Sequence, residues 1–537
     1  MQSSLRHHLI MMIITRVEAA LQQALLFLVL FVSYVTLLRI AKRSKSKQQQ
    51  QQGHGRLLPS PPGLPLIGHL HLAILYRLQG ILPTVSFRDL ATRYGRDGLV
   101  LIRLGSMPML AVSSRRAAEA VMRTQDHLLA WRPPSTMAHT LFYGSRDVIF
   151  ASYSDHWRQA KKLLTTHLLT MKKVQSYRAV REEEVRRAMA KVSDAAMACK
   201  ALDVSELLYG FTFDVMCRAA VSGRVVKADD DMSRLFRELV NLTEKLIGGL
   251  NLEDYFPWLL RVGVFRRAVC AKADRLRKRW DELLDKVIDD HEGNNKQAQQ
   301  HEHDFLDVLL SHQHEYGLTK DHLKALLIDI FVAGTDTSYL VLEYAMVELV
   351  RNPHVMSRLQ DEVRHHVPNT QEMVVTEEVA SSMAYLKAFI KETLRLHPPA
   401  PMLAPHYSLT EVDIDGYMVP AKTPILINNW ALARDSSVWK DAEEFKPERF
   451  MEMGIEASIN FKGNDFQYLP FGAGRRMCPG INFSISSIEV LLANLVYHFN
   501  WEVPTVMGKA SIDMTEEVCM TLHRKEKLFL VPKMVGV

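Results

Sequence analysis

The sequence predicts a mainly α-helical fold with a smaller β portion, preceded by an N-terminal membrane-anchor helix. Three observations predict it. From about Arg115 to Val350, apolar residues recur at helical spacing with few interruptions. Strand-like runs are short and confined to Leu99–Leu104 with Pro108–Val112, and to Ile414–Ile427. Ala19–Leu38 is predominantly apolar, weakened by Gln22 and Gln23, and close to the ~20 residues a bilayer-crossing helix needs.

Taken in order, residues 1–47 read as the anchor with its basic flank. Arg39, Lys42, Arg43, Lys45 and Lys47 follow the apolar run at once, which places the rest of the chain in the cytosol. Arg6 and Arg16 on the other flank oppose that orientation. The basic cluster follows the apolar run and no small-residue cleavage site is evident, which weighs against a removed secretory signal. Residues 48–68 read as a polar and proline-rich linker, with Gln48–Gln52 solvated and Pro59, Pro61, Pro62 and Pro65 fixing a stiff, extended path. Residues 69–537 are then the globular part. Asp290–Asp304 is polar and expected to be an exposed loop, in which His301 and His303 are solvated rather than metal-binding. Leu318–Arg351 is expected to be one long helix with Thr319 as N-cap. Turns are expected at Asp415-Gly416 and Pro420 in the second strand region. No internal repeat is visible.

Composition excludes some functions. The chain has 537 residues, 47% of them hydrophobic, which suits one large core or several smaller ones. A net charge of +6, much of it beside the N-terminal apolar run, implies no nucleic-acid partner. Cys199, Cys217, Cys270, Cys478 and Cys519 are scattered with no C-x-x-C pair, as expected of reduced thiols facing the cytosol.

Four patterns bear chemistry. Phe471-Gly-Ala-Gly-Arg-Arg-Met-Cys478-Pro-Gly480 places a lone cysteine in a glycine-rich loop before the apolar run Ile481–Val496. This suits a thiolate metal ligand at a helix start, where the positive end of the helix favours negative charge. Arg476 can reach an acidic group on the same cofactor. Ala333-Gly334-Thr335-Asp336-Thr337-Ser338 interrupts the long apolar helix with small residues, an acid and hydroxyls. Those hydroxyls can bond back to preceding carbonyls, and Gly334 leaves room for a ligand. Glu392 and Arg395 form E-x-x-R on one helix face, followed by Phe445-Lys-Pro447-Glu-Arg449-Phe450. Trp157 and Lys161 form W-x-x-x-K within His156–Lys162.

In this order, anchor through cysteine loop, the chain resembles the cytochrome P450 family, and specifically its plant microsomal members. Gly68–Leu72, Lys162–Leu169, Glu315–Thr319, Ser382–Leu386, His397–Pro401 and the pair Pro405-His406 resemble the grass monooxygenases that oxygenate indole on the way to benzoxazinoids. The resemblance implies the cytochrome P450 fold over 69–537, with heme b (iron protoporphyrin IX) bound through Cys478. Thr337 would hold oxygen and water, and Asp336 would help deliver protons. Arg476, Trp157, Lys161 and His406 would contact the heme propionates, Lys161 and His406 standing where arginine is commoner. Glu392, Arg395 and Arg449 would form a buried triad that serves folding. The implied reaction is RH + O2 + NADPH + H+ to ROH + H2O + NADP+, with NADPH electrons delivered by NADPH-cytochrome P450 reductase and cytochrome b5 as a further partner. The implied setting is the endoplasmic reticulum membrane, crossed once. A small lipophilic plant metabolite is the implied substrate, an indole or indolinone derivative by framework or a terpenoid by pocket plasticity. Phe142, Tyr143, Phe331, Met402 and Leu403, with the turn at Val518–Met520, are expected to wall its pocket. A reductase-independent isomerase or dehydratase, and a membrane heme sensor or scaffold, are the rival readings.

Overall fold

The central helix Lys320–Arg351 exists because its ends are marked and its length is apolar on every side. Thr319 and His322 cap each other's backbone amides at the start, and Asn352-Pro353 ends it by opening the next helix. A helix apolar all round must be buried. It is the one described helix long and apolar enough to cross a membrane, yet 78% of that stretch lies inside the protein, so it is a core helix. It packs on Val204–Val221, Ile481–His498 and Ala384–Leu396.

This is a computed structural model, and it describes residues 56–221, 230–249, 251–294, 304–367, 374–451, 455–504, 512–518 and 520–535. The expected anchor 1–47 lies outside the described residues, as do His301, His303 and Cys519. The four other cysteines are free thiols.

The β portion is small, as expected. Leu99–Leu104 and Met107–Val112 pair antiparallel. The second of these runs parallel to Thr423–Ile427, which pairs antiparallel with His406–Ser408. Asp415 (φ 59°) and Gly416 (φ 84°) turn the hairpin Val412–Ile414/Tyr417–Val419, the doubly left-handed pair that a tight hairpin needs. Near the C-terminus, Phe499–Glu502 pairs with Phe529–Met534, and Glu516–Val518 pairs with Leu522–Arg524.

Two expectations meet a different arrangement. The proline segment is docked on the sheet: Arg56 N donates to Gly416 O, Leu101 N to Pro59 O, and the His69 ring meets Pro61 O at 2.9 Å. Prolines cannot donate, but their carbonyls accept, so a stiff path can edge a sheet. Asp290–Asp304 is not wholly an exposed loop. Gly263–Asn294 is one helix through Asp290–Asn294, and the buried Asp304 caps Phe305–Ser311 while holding His291 Nε2 at 3.0 Å. Polar residues at the two ends of this stretch pair with each other instead of with water.

The E-x-x-R helix fixes the chain that leads to the cysteine loop. Arg395 makes a bidentate pair with Glu392 (2.7 and 2.9 Å), and Arg449 Nε adds a third bond at 3.0 Å, all three side chains at most 2% exposed. Spare guanidinium N–H groups donate to Ala433, Ala442, Glu444, Lys440 and Asp441 carbonyls. Tyr468 Oη donates to Lys391 O, tying the same helix to the run before Phe471.

Candidate functional site

The cysteine loop is shaped by backbone that only glycine accepts easily. Gly472 and Gly474 have φ of 67° and 66°, and a Cβ on Gly474 would lie 2.3 Å from Met122 O. Cys478 N donates to Phe471 O and closes the loop, and Arg475 pairs with Asp126 at 2.7 Å. Gly480, the N-cap of Ile481–His498, directs its amide at Cys478 Sγ at 3.4 Å. Cys478 is exposed by surface area, yet burial is the largest influence on its thiol and pushes it up, while the Gly480 amide and Lys161 charge pull it down. Both observations hold if the sulfur opens onto an enclosed space inside the protein. There a helix N-terminus and a cation favour the thiolate.

Cations wall this space. Arg476 donates to Ala130 O, Val148 O and Ala151 O, and stacks 4.3 Å from the Trp157 ring. Trp157 Nε1 is itself spent on Val148 O. Lys161 Nζ donates to Arg475 O and Met477 O, so it braces the cysteine loop beside the thiol. Arg132, which sequence reasoning missed, donates to Ile149 O, Ala404 O and Pro405 O. Burial, with the Arg476 charge second, lowers Arg132 to about 9, and burial lowers Arg476 to about 10. His406 Nδ1 meets Leu129 O at 3.1 Å. A carbonyl only accepts, so the ring hydrogen sits there and Nε2 is an acceptor. Burial and Arg132 hold this ring neutral, at about 3. One facing acid is Asp147, itself lifted to about 6 by burial. Arg132, Arg476 and Lys161 face Asp147 and Asp126, and Asp126 is already paired with Arg475, so positive charge is left for an anionic edge to offset. The donor set therefore fits heme: a thiol for iron and cations for its propionates.

The central helix presents Ala333, Gly334 and Thr337, one face, half-exposed between buried neighbours. Thr337 Oγ1 donates to Ala333 O at 2.7 Å, the back-bond its position suggests. Ser338 Oγ meets Ser484 Oγ at 2.9 Å, which joins the turn after Thr337 to the helix after Cys478. Beside Gly334 the space is taken by the Met216 methyl, 2.2 Å from where a Cβ would stand. Asp336 turns away from this face. It is 1% exposed, accepts from Thr521 Oγ1 at 2.8 Å, and pairs with His523 Nε2 at 3.2 Å.

Phe142 and Phe331 do not wall an accessible pocket. Both are 0% exposed: Phe331 packs on Phe236 (4.7 Å) and Phe213, and Phe142 on Phe150. Aromatic identity alone does not tell which helix face meets a cavity. The half-exposed candidates are Val148, Ile149, Met402, Leu403 and Ala404, held together where Arg132 bonds Ile149 O and Ala404 O. Tyr143 is buried, with its hydroxyl on Asp281; Val518 lies outside the described side chains.

Compared with known families, the chain matches the cytochrome P450 model over residues 58–531. It is 52% identical to indole-2-monooxygenase of Zea mays over 480 residues, 89% of this chain and 87% of that one. Two other Zea mays proteins, 3-hydroxyindolin-2-one monooxygenase and indolin-2-one monooxygenase, are each 48% identical. The first alignment covers 92% of both chains and the second 97% of both. A zebra fish cytochrome P450 solved with progesterone superposes with a TM-score of 0.70 at 22% identity, over 84% of this chain and all of that one, which is a likeness of fold.

Proposed function

The chain belongs to the cytochrome P450 family, and from that premise we propose that it is a heme-thiolate monooxygenase hydroxylating a small planar indole-type ring. Electrons come from NADPH through a flavoprotein reductase at the endoplasmic reticulum membrane. The observation that carries the chemistry is the placement of Cys478 Sγ under the Gly480 amide, at a helix N-terminus and beside a wall of cations. Heme bound there supplies oxygen activation, which a thiolate ligand favours.

The chain's own residues do the rest. Cys478 would ligate the iron. Arg476 and Arg132 would offset the propionates, with Trp157 stacked against Arg476, Lys161 bracing the loop, and His406 lining the edge as a neutral ring. Thr337 has its hydrogen on Ala333 O, so its oxygen faces the half-open side as an acceptor for a water or a protonated group. Asp336, on the far side of the helix, brings protons toward it. Ala333, Ile149, Leu403 and Ala404 offer small apolar walls that suit a flat ring better than a bulky one.

Membrane contact has a second support besides residues 1–47. Ile74, Leu75 and Leu78 on Leu70–Leu78, and Trp258, Val262 and Val264, are exposed apolar side chains. The two regions meet a common small core through Leu72, Tyr76 and Tyr255. Exposed apolar side chains in these two regions suit contact with a bilayer.

The test is microsomal protein with reductase and NADPH, offered an indole and indolinone panel and a terpenoid panel, read by mass spectrometry. An indole-type product with one added oxygen, dependent on NADPH, is expected. A response to terpenoids alone overturns the substrate. Turnover without NADPH supports the isomerase reading instead.

A further inference from the structure

The face of the central helix turned away from Thr337 holds a second cluster. Glu244 on Asp230–Ile247, Asp336 on the central helix, and His523 on Leu522–Arg524 bring two carboxylate oxygens and one imidazole nitrogen within 4.8 Å of one another. His523 Nε2 lies 3.2 Å from Asp336 Oδ2 and 3.6 Å from Glu244 Oε2. Thr521 Oγ1 bonds both Asp336 Oδ2 (2.8 Å) and His523 Nε2 (2.9 Å). Glu244 and Asp336 are 2% and 1% exposed, while the His523 side chain keeps 22% of its surface.

The charges do not cancel. Two buried carboxylates face one cation, and Glu244 Oε1 is buried with no hydrogen-bond partner among the described residues. Among the described residues, the two other nearby arginines each face a different acid. Arg237 ion-pairs with Glu206 and lies over the Tyr209 ring, and Arg524 faces Glu343 at 3.8 Å. The remaining groups near the cluster are the Tyr209 and Tyr339 hydroxyls and Glu343, none of them positive. An uncompensated buried carboxylate is strongly disfavoured, and a proton removes its charge. Asp336 takes the nearer imidazole contact and the Thr521 hydroxyl, so the proton settles on Glu244.

We propose that Glu244 is the proton reservoir of this monooxygenase: it holds a proton beside Asp336 and passes it on for delivery to Thr337, with His523 as the fixed cation at the solvent edge. The proton leaves the Glu244 carboxyl for the Asp336 carboxylate, the negative charge moves to Glu244, and water at the exposed His523 edge restores it. Glu244 and His523 act through Asp336 and are positioning residues. Burial and then the Asp336 charge lift Glu244 to about 8, near the pH at which a proton can be both held and released. The proposal rests on the monooxygenase reading.

Its test has two arms. Infrared difference spectra of the holoenzyme at neutral pH should show the carbonyl stretch of a protonated carboxylic acid, sensitive to deuterated water and titrating at about 8. Glu244→Gln, an isostere of the protonated acid, should remove that band while leaving the carbon monoxide spectrum intact. In turnover, product per NADPH should fall about tenfold in Glu244→Gln. Wild-type coupling should decline as pH rises through about 8, and the variant should lack that limb. His523→Lys should keep coupling, whereas His523→Gln should lower it. A wild type without the band, or a Glu244→Gln enzyme with wild-type coupling and an unchanged alkaline limb, overturns the proposal. Absence of NADPH-dependent product from every panel, with the infrared band present, overturns the monooxygenase reading instead.

Discussion

Two buried charge clusters in this molecule follow opposite rules. Around Glu392 every group is met: Arg395 and Arg449 bond the carboxylate, and their spare N–H groups end on backbone carbonyls. Around Asp336, two acids share one imidazole and an oxygen of Glu244 has no partner among the described residues. The carboxylates of both clusters are buried, Glu392 as fully as Glu244 and Asp336, so burial of the acids does not separate them. Matched groups pin segments in place and leave a proton nothing to do. An unmatched group gives a proton somewhere to sit. The contrast separates a network kept for architecture from one kept for chemistry.

The largest effect should come from breaking the matched cluster. Arg395→Ala removes the bidentate partner of buried Glu392 and leaves it Arg449 alone as a counter-charge, at a cost on the order of 3–5 kcal/mol. Little heme-loaded protein should be recovered, measured by heme content and thermal unfolding. Asp336→Asn should yield normal heme content with impaired coupling. If both variants lose heme alike, the distinction between the clusters fails.

Next in size is Cys478→His. The fold is held by the triad and central helix, so folded protein should remain. The strongly red-shifted Soret band of the reduced, carbon-monoxide-bound state should vanish, and product should fall to background. Retention of both would remove Cys478 as the ligand. Smaller again is Thr337→Ala, which deletes a hydroxyl bonded only within its own helix turn. NADPH consumption should continue with peroxide released, and product per NADPH should fall by about 100-fold. Unchanged coupling would make Thr337 a helix-bending residue only.

The matched cluster was legible in the sequence and the unmatched one was not. E-x-x-R, the segment ending at Arg449, the cysteine loop and the Thr319 cap are short patterns whose spacing states their geometry. Glu244 and His523 are far from Asp336 in sequence and meet it only through the packing of a helix and a hairpin on the central helix. Arg132 was missed likewise: it sits in Trp131-Arg132-Pro133, and only the fold brings it to Ala404 and Pro405. Phe331 was misplaced for a related reason. In a helix apolar all round, the face that meets the cavity is marked by Ala333, Gly334 and Thr337, not by the aromatic residue. Asp290–Asp304 looked solvated because polarity reports composition, whereas His291 and Asp304 satisfy each other.

The smallest expected effect is the pH dependence of stability that the Asp336 cluster imposes. Burial and the Asp336 charge lift Glu244 from its ordinary 4.5 to about 8. Burial would lower His523, but its bonds to Asp336 and Glu244 outweigh this and lift it from 6.5 to about 11. Each group keeps a proton in the folded state at pH values where the unfolded chain has released it. Stability therefore falls as pH rises, from 4.5 to about 8 for Glu244 and from 6.5 to about 11 for His523. The His523 contribution is fully present below 6.5 and is lost as pH passes through about 11, so the two declines overlap between 6.5 and about 8. Relative to Glu244→Gln, the wild-type unfolding midpoint should drop across that overlap and more gently above about 8, because the variant also loses the Glu244 contact that helps lift His523. Relative to His523→Gln it should go on dropping beyond it. Ordinary titrations elsewhere cancel in these differences. Parallel curves for all three proteins would mean that the cluster holds no extra proton, and that its carboxylates are matched by something other than a shared charge.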